Sequence, residues 1–403
     1  MTKNTVNFEL KRLDIVGADG TVVDLIPTYT GVEIFESMYS TFITGFITFS
    51  DQQNMLEELP VIGDETIIIE YKDLPQTFSN NPTNHIRQEF DVVKVENMRV
   101  MSPHATSYTI RFMSKAYLNN SKKRIRKAYN ARPCELTMDL VKRHLGSSTN
   151  WVTQCQYDEK VVFPNVRPSE AIDMLAKLGV DADGSGDYMF YETTKGFNFV
   201  SSEWLIKQPI IAKYDNSIVT EYTEGAKDYK VEESYNTTPF DIVHNVTNGL
   251  YGNKIIQHSM VDKTIVEKTT TYSASYDKFT HLNNKSLTAK HAVGYEENAV
   301  KYIPVQPIGT EGVYGKTASW YGDFLSRATQ FENNVWTLTI NGDDRLVAGG
   351  VIQVKFPKRG AIIGDEADNV RESGKYMIVN LRRVISPNKY TSVVQVVGES
   401  INV

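Results

Sequence analysis

The sequence is poor in cysteine and in long apolar runs, and it has no excess of basic residues. Cys134 and Cys155 are the only cysteines among 403 residues, too few for a disulfide framework or for the repeated Cys/His spacing of a structural zinc site. We therefore expect a reducing compartment. The 43 basic and 49 acidic residues give a net charge of -6. Such a surface repels phosphate as a whole, so a dedicated nucleic-acid-binding protein is disfavoured.

Membrane segments and export signals are also missing from the pattern. Thr, Ser or a charged residue interrupts the apolar residues every two or three positions, so no window approaches the roughly 18 apolar residues of a membrane helix. Residues 1–20 alternate between polar and apolar types, whereas a signal peptide has a continuous apolar centre. We expect no cleaved leader and no membrane partner for the isolated chain. The sequons at Asn236 and Asn245 would then carry no glycan.

Strand patterns dominate what the sequence does contain. Six segments rich in β-branched and aromatic residues alternate with period two, at 43–50, 65–72, 106–113, 335–340, 351–356 and 391–397. Helical patterns cover 135–146, 168–179 and 319–332. The second of these begins at Pro168 and ends at Gly179, as helices commonly do. The length predicts about two to four domains, and the predicted fold class is α+β with β structure dominant.

An internal repeat links the two groups of strands. "RVMSPHATSYTIRFM" (99–113) and "RVISPNKYTSVVQVV" (383–397) share an Arg-Val-apolar-Ser-Pro start, a polar loop and an alternating strand. Upstream of each, residues 45–71 and 335–356 both run strand, Asp-containing turn, Leu, Gly-containing turn, strand. Agreement in order over about seventy residues makes coincidence improbable for such short units. We predict two copies of one small β-barrel or sandwich domain.

The spacing of the copies predicts the domain organisation. The first copy is continuous over 1–118, and a mixed helix and strand domain follows over 119–203. The second copy is predicted to be split into 204–245 and 319–403, with an inserted domain at 246–318.

The most specific ligand motif is "DADGSGDYMFYE" (181–192). It fits the calcium loop of an EF-hand, with Asp181, Asp183, Ser185, Gly186 and Glu192 at the ligand and turn positions. The residues that follow alternate like a strand, so the second helix of an EF-hand is missing. A helix-to-strand turn is the favoured interpretation, and calcium binding at this loop stays open.

Other motifs have plain structural interpretations. The basic run "KKRIRK" (122–127) is expected to be a solvated linker or an interface with an acidic partner. The histidines form no HExxH pair, and His281 and His291 lie in a polar tract expected to be a surface loop. The carboxylate pairs are expected in turns or on helical faces; they are Asp343 with Asp344 and Glu57 with Glu58. We assign no catalytic, cofactor-binding or metal-binding residue and no cofactor.

The stretch "NVTNGLYGNKIIQHSM" (245–260) lacks the spacing of a phosphate-binding loop. Its apolar residues instead predict a helical turn, a break at Gly249 and Gly252, and then a strand. We expect a packed junction in which the chain leaves the second copy, with His258 packed or capping there.

Four stretches of the chain resemble the central baseplate hub proteins of contractile-tailed bacteriophages, a family related to the hub part of VgrG-type secretion spikes. They are "FDIVHNVTNGLYGNKIIQHSMVDKTIVEKTTTY", "WYGDFLSRATQFENNVWTLTINGDDRLVAGGVIQVKFP", "SGKYMIVNLRRVISPNKYTSVVQVV" and "GDYMFYETTKGFNFVSSEWL". The resemblance implies that the two copies are tube-type β-barrel domains.

The resemblance also implies a structural virion protein and no enzyme. Three copies would form a hollow ring of six similar units that adapts a three-fold central spike to a six-fold tail tube and lets DNA pass. The implied partners are the chain itself as a homotrimer, the spike or needle, the tube or tube-initiator protein, baseplate wedge proteins and a tape measure protein. The implied location is the tail baseplate of a virion assembled in the host cytoplasm. If the bore carries part of the acidic excess, passing DNA would be repelled from its wall.

Two other functions compete with this interpretation. A receptor- or carbohydrate-binding tail protein would use aromatic side chains, and the chain has 22 tyrosines, although tyrosine also marks protein interfaces. A tail-associated peptidoglycan hydrolase would need a catalytic segment, and no motif predicts one.

Overall fold

The structure is a computed structural model that describes residues 8–52, 61–73, 85–102, 105–216, 230–259, 263–287, 299–305, 317–358 and 368–403. Of the residues named above, Glu57, Glu58 and His291 lie outside these ranges.

Strands make up most of the described chain. In the first part they are β1 (Phe8–Val16), β2 (Val22–Asp24), β3 (Tyr29–Ser37), β4 (Thr44–Asp51), β5 (Thr66–Asp73), β6 (His85–Ser102) and β7 (Ala105–Ser114). In the middle they are β8 (Ala128–Ala131), β9 (Thr149–Val152), β10 (Glu159–Val162), β11 (Tyr188–Thr193), β12 (Gly196–Ser201), β13 (Ile210–Asp215) and β14 (Val231–Thr238). The remainder are β15 (Gly252–Ser259), β16 (Thr264–Thr271), β17 (Lys285–Ser286), β18 (Val300–Val305), β19 (Val335–Asn341), β20 (Val351–Lys355), β21 (Gly374–Ser386), β22 (Lys389–Val397) and β23 (Ser400–Ile401).

Helices connect and cover these strands. They are α1 (Lys115–Lys122), α2 (Pro133–Leu140), α3 (Pro168–Ala176), α4 (Ser202–Ile206), α5 (Ile242–Thr247), α6 (Tyr272–Tyr276) and α7 (Thr317–Gln330). A turn of π-helix, Val141–Leu145, continues α2 and ends at Gly146, whose φ of 69° is left-handed. Among the described helices, none is long and apolar enough to cross a bilayer.

The β-dominated α+β fold class is confirmed, and so are all six predicted strands and three predicted helices, each to within a few residues. Thirteen strands belong to one sheet, whose main path runs β14-β19-β22-β21-β3-β4-β7-β6-β5-β1-β2. Strands β20 and β13 join it beside β21. The sheet therefore contains both copies of the repeat.

The repeat extends to the register of the strands. We call β3 to β7 the first repeat and β14 with β19 to β22 the second repeat. One row of paired residues crosses the first repeat through Thr66, Asp91, Met113, Thr44 and Phe35. The equivalent row of the second repeat runs through Val351, Met377, Val397, Val335 and Thr238. Met113 and Val397 end the two matching sequence segments, so the sequence match and the pairing agree.

The two repeats also share a β-bulge, and they differ at a second place. A register shift follows Val92 in β6 and Ile378 in β21, at the same point of each hairpin. Strand β6 has further shifts beyond Glu96. Arg99 and Arg383, which the sequence match aligned, therefore occupy different places, and Arg383 is fully buried whereas Arg99 is exposed.

The segments between the repeats form smaller units. Helices α2 and α3 pack with hairpin β11–β12 around a core that includes Leu140, Ile172, Leu175 and Phe199. Strands β15, β16 and β18 form a separate three-stranded sheet against which α7 packs. The domain boundaries near residues 118, 203, 245 and 318 stay a prediction, because a single sheet runs across both repeats.

A buried ion pair lies where the two repeats meet. Strand β21 pairs antiparallel with β3, and there the Arg383 guanidinium donates to the Glu36 carboxylate, both side chains being fully buried. Arg383 also donates to the carbonyl of Leu346 at 2.7 Å. The carboxylate accepts backbone N–H groups of Thr194 at 3.2 Å and Ala348 at 3.4 Å. One carboxylate thus joins the first repeat, the second repeat and hairpin β11–β12.

We expect Arg383→Met to lower the free energy of unfolding by about 3–5 kcal/mol, because it leaves the Glu36 charge buried without its partner. The adjacent pair of Arg382 with Glu33 provides the matched control. It is bidentate, with both contacts at 2.7 Å, but Arg382 is 46% exposed, so Arg382→Met should change stability by at most about 1 kcal/mol. Urea unfolding of both variants measures the difference, and equal losses would contradict the assigned role of Arg383.

Candidate assembly interface

The calcium-type loop is organised as a turn. One oxygen of Asp181 accepts the backbone N–H groups of Asp183 at 3.0 Å and Ser185 at 2.8 Å, and the other accepts the Ser201 hydroxyl at 2.7 Å. Backbone N–H donors present positive charge to the oxygens that a cation would need. Glu192 lies at the other end of hairpin β11–β12, about 13 Å along the strand from Tyr188, where it accepts the N–H of Ile43 at 3.1 Å. The structure does not bring Asp181 and Glu192 together.

The segment that includes residues 245–260 forms a packed junction, as expected. Helix α5 ends before Gly249, whose φ of 82° is left-handed, and β15 follows. The buried side chain of Asn245 exchanges two amide hydrogen bonds with Asn333, at 3.0 and 2.9 Å. Asn253 donates to the carbonyl of Gly322 at 2.9 Å in α7. The expectation for His258 is wrong, since its side chain is exposed.

The basic run bonds to its own chain. Lys123 donates to the carbonyl of His144 at 2.9 Å, at the end of the π-helical turn, where the helix dipole favours a cation. Arg126 donates to Asn165 at 2.6 Å. Among the histidines, His281 contacts Glu399 at 2.8 Å and stacks on Tyr276, so it is half-buried rather than in the expected surface loop.

The remaining sequence candidates are also engaged structurally. Asp343 accepts the hydroxyl of Tyr214 and Asp344 that of Tyr390, each at 2.8 Å, so the adjacent carboxylates serve different partners. Cys134 and Cys155 are both buried and free. Within the described ranges no cluster of three or more His, Cys, Asp or Glu side chains could hold a metal ion.

The two repeats differ in strand pairing at their edges: β21 and β3 pair with each other, but their equivalents β6 and β14 do not. In the second repeat, β21 has β3 paired along Asn380–Ile385. Its equivalent, β6, pairs with β5 only up to Asp91, and beyond that point β7 is its single partner among the described strands. The equivalent of β3 is β14, which pairs along its length with β19 alone in the described part of the chain. Among the described strands, β21 and β3 therefore pair with each other, whereas their equivalents, the outer half of β6 and the outer edge of β14, have no such partner.

Apolar side chains are exposed at both open edges. On the outer half of β6 they are Met98, Val100 and Met101, exposed by 60%, 72% and 61%. On and after β14 they are Tyr235, Phe240, Ile242 and Val243, each more than half exposed. Sheet edges with exposed apolar side chains pair readily with another chain. These two edges are the candidate assembly interface.

Comparison with known proteins gives this interface a context. No family model matches the sequence. A protein of Vibrio phage KVP40, described as a probable baseplate hub protein, is 20% identical over 98% of this chain and 95% of its own length. Over nearly its whole length, the chain is therefore similar to a phage baseplate hub protein. The hub family resemblance read from the sequence is thereby confirmed.

Two solved structures share the fold of this hub protein. A 43 kDa tail protein of prophage MuSo2 from Shewanella oneidensis is 10% identical, with a TM-score of 0.58 over 96% of this chain and 98% of that chain. A tail protein from Neisseria meningitidis MC58 is 7% identical, with a TM-score of 0.56 over 98% of both chains. The similarity to a phage baseplate hub protein supports a structural, non-enzymatic role in a phage tail.

Sequence reasoning missed the residues at the junction of the repeats. Arg382 and Arg383 are consecutive in a strand, and consecutive strand residues point to opposite faces, so one of them had to face the core. Two consecutive arginines in a predicted strand could therefore have indicated that one of them is buried. Glu192 was noted only as a position of the calcium-type loop, and no sequence pattern indicated the burial of Glu192 or Glu36, whose partners come from distant segments.

We expect Glu192→Gln to stabilise the hub protein selectively at high pH. Burial raises the pKa of Glu192 to about 7, so the folded state holds this proton more tightly than the unfolded state, and wild-type stability falls as pH rises from about 4.5 through 7. Glutamine cannot ionise. Relative to wild type, the variant should gain about 2 kcal/mol between pH 5 and pH 8.

Urea unfolding at the two pH values measures this gain. Glu267→Gln, at a half-exposed carboxylate on β16, is the control and should show no comparable pH-dependent gain. A pH-independent effect of Glu192→Gln would contradict the assignment of a buried, neutral carboxyl.

Proposed function

We propose that three copies of this hub protein form a hollow ring with six nearly equivalent units, which adapts a three-fold central spike to a six-fold tail tube and leaves a passage for DNA. The observation that carries the proposal is the register-matched duplication, in which one junction is closed within the chain and its equivalent is left open. Within one chain, the second repeat is joined to the first repeat by the pairing of β21 with β3. An equivalent joint would connect the first repeat of one copy to the second repeat of the next copy, through pairing of β6 with β14.

The equivalence of the strands predicts where this second joint lies. Asn380 to Arg382 of β21 correspond to Lys94 to Glu96 of β6, because both follow the shared bulge. Val32 to Ile34 of β3 correspond to Ser234 to Asn236 of β14, because they face equivalent residues of β4 and β19. The joint is heterologous, since one edge meets a different edge, and heterologous joints close into rings when the rotation permits.

Strand spacing gives the scale of such a ring. Each repeat contributes four consecutive strands, namely β3, β4, β7 and β6 or their equivalents β14, β19, β22 and β21. Six repeats would give about 24 strands, and at ~4.8 Å between strands the circle is about 37 Å across between backbones, with strand tilt widening it further. Closure also removes the open edges that would otherwise pair without control.

The remaining parts of the proposal concern organisation and partners. The chain would contain a tube-type β-barrel domain at 1–118, a mixed domain at 119–203, a second split barrel at 204–245 and 319–403, and an inserted domain at 246–318. One face of the ring would hold the spike, the opposite face would contact the tube or its initiator and the tape measure protein, and the outside would meet baseplate wedges. Assembly would take place in the host cytoplasm. The proposal assigns no catalytic, cofactor-binding or metal-binding residue.

The mass of the full-length protein in solution tests the ring. We expect three times the chain mass of 45.6 kDa by light scattering or native mass spectrometry, alone or with the spike protein added. The double substitution Val100→Lys with Met101→Lys should give the single-chain mass, because charges on the open edge oppose strand pairing.

Ile62→Lys is the matched control, since Ile62 is 77% exposed but lies outside β6 and β14. That variant should remain trimeric. A wild-type protein that stays monomeric under both conditions would refute the ring, and a trimeric edge variant would refute the position of the joint.

A further inference from the structure

We infer that the polar face of the joined sheet lines the bore of the ring, and that the basic residues of its inner rows are held against carboxylates so that a DNA duplex passes without binding. This inference rests on the proposed ring. It identifies the surface that the passing polyanion meets and the residues that keep that surface from binding it.

The two faces of the joined sheet differ in what covers them. On one face, Ile47 and Ile110 of the first repeat pack into a core that also holds Leu13 of β1 and Ile69 of β5. The second repeat likewise buries side chains such as Leu338 of β19 beneath Ile352 of β20. Strands β1, β5 and β20 thus add bulk to this face, which fits only on the outside of a closed ring.

The opposite face carries partly exposed side chains and would point inward. Alternation along each strand places these side chains on one side. One row across both repeats contains Glu233, Thr339, Val393, Arg382, Phe35 and Thr44. A second row contains Asn341, Thr391, Val384, Glu33, Phe46, Arg111 and Lys94. The two rows together contain three threonines and three basic residues, and the basic residues are Arg382, Arg111 and Lys94.

Each strong cation of the inner rows lies against a carboxylate. Arg382 makes its bidentate contact with Glu33, which joins the two repeats across β21 and β3. Glu96 accepts from Arg111 of the neighbouring strand and from Lys94 at 2.9 Å. These pairs are solvent-exposed, so they add little stability. Their effect is on the field that a phosphate backbone would meet.

Paired charges of this kind differ from the acidic bore expected from composition. A duplex binds protein by releasing counterions to unpaired Lys and Arg. A cation already paired with a carboxylate offers little of that release. The wall is then neither attractive nor strongly repulsive.

Removing the carboxylates tests the inference, because it frees the arginines. The variant combines Glu33→Gln with Glu96→Gln in the full-length protein, and the probes are a fluorescent linear duplex and a covalently closed circular duplex of the same sequence. We expect the variant to bind the linear duplex at least about tenfold more tightly than wild type at ~50 mM salt, and to lose that binding by ~200 mM salt. The closed circle has no end that can enter a ring, so it should not bind.

Glu267→Gln is the matched control, since it removes the carboxylate of a 2.6 Å ion pair with Lys254 on the sheet of β15, β16 and β18, away from the proposed bore. It should bind no DNA. A trimeric double variant without increased binding, equal binding of the circle, or tight duplex binding by wild type would each overturn the inference. A monomeric wild-type protein would instead show that the proposed ring fails, which the mass measurement reports separately.

Discussion

The buried pair of Arg383 and Glu36 is the constraint on which the arrangement of the two repeats depends. A buried charge is tolerated when a partner and further hydrogen bonds offset the loss of its hydration. Here the partner lies in the other repeat, and the further donors to Glu36 come from Thr194 and Ala348. The pair therefore stabilises one relative placement of the first repeat, the second repeat and hairpin β11–β12, whereas apolar packing alone would be compatible with several placements.

In the proposed ring, that fixed placement would guide assembly. Because registers are preserved between the repeats, the joint inside the chain would give the geometry for the proposed joint between chains. The open edges are not copies of the closed ones, however. Strand β6 has extra residues around Asn97, whose φ of 58° is left-handed, and it exposes apolar side chains where β21 buries Arg383. In the proposed ring, the interchain joint would thus rely on apolar contact where the intrachain joint relies on charge.

Sequence patterns predicted the elements well because those patterns are local. Period-two alternation located β4, β5, β7, β19, β20 and β22, and the Pro168 start and the Gly-rich turn at Gly249 were both confirmed. Position in the sheet is not local. The sequence match aligned Arg99 with Arg383, and only the register shifts in β6 separate them. Burial of Glu36 and Glu192 depends on segments more than a hundred residues away, for which period and propensity carry no information.

The division of labour between the two faces of the sheet follows from these constraints. The face that carries the cores must hold the repeats rigid. Its charged groups form a few fully buried contacts, such as that of Arg383 with Glu36. The opposite face needs no packing partner within the chain. Its basic side chains contact carboxylates, and its threonines are partly exposed to water. An assembly that transmits a polymer requires the first property to keep its shape and the second to keep its wall passive. Because side chains alternate along a strand, one strand can supply both faces. Arg382 and Arg383 are consecutive, yet Arg383 is buried on the core face and Arg382 is exposed on the opposite face.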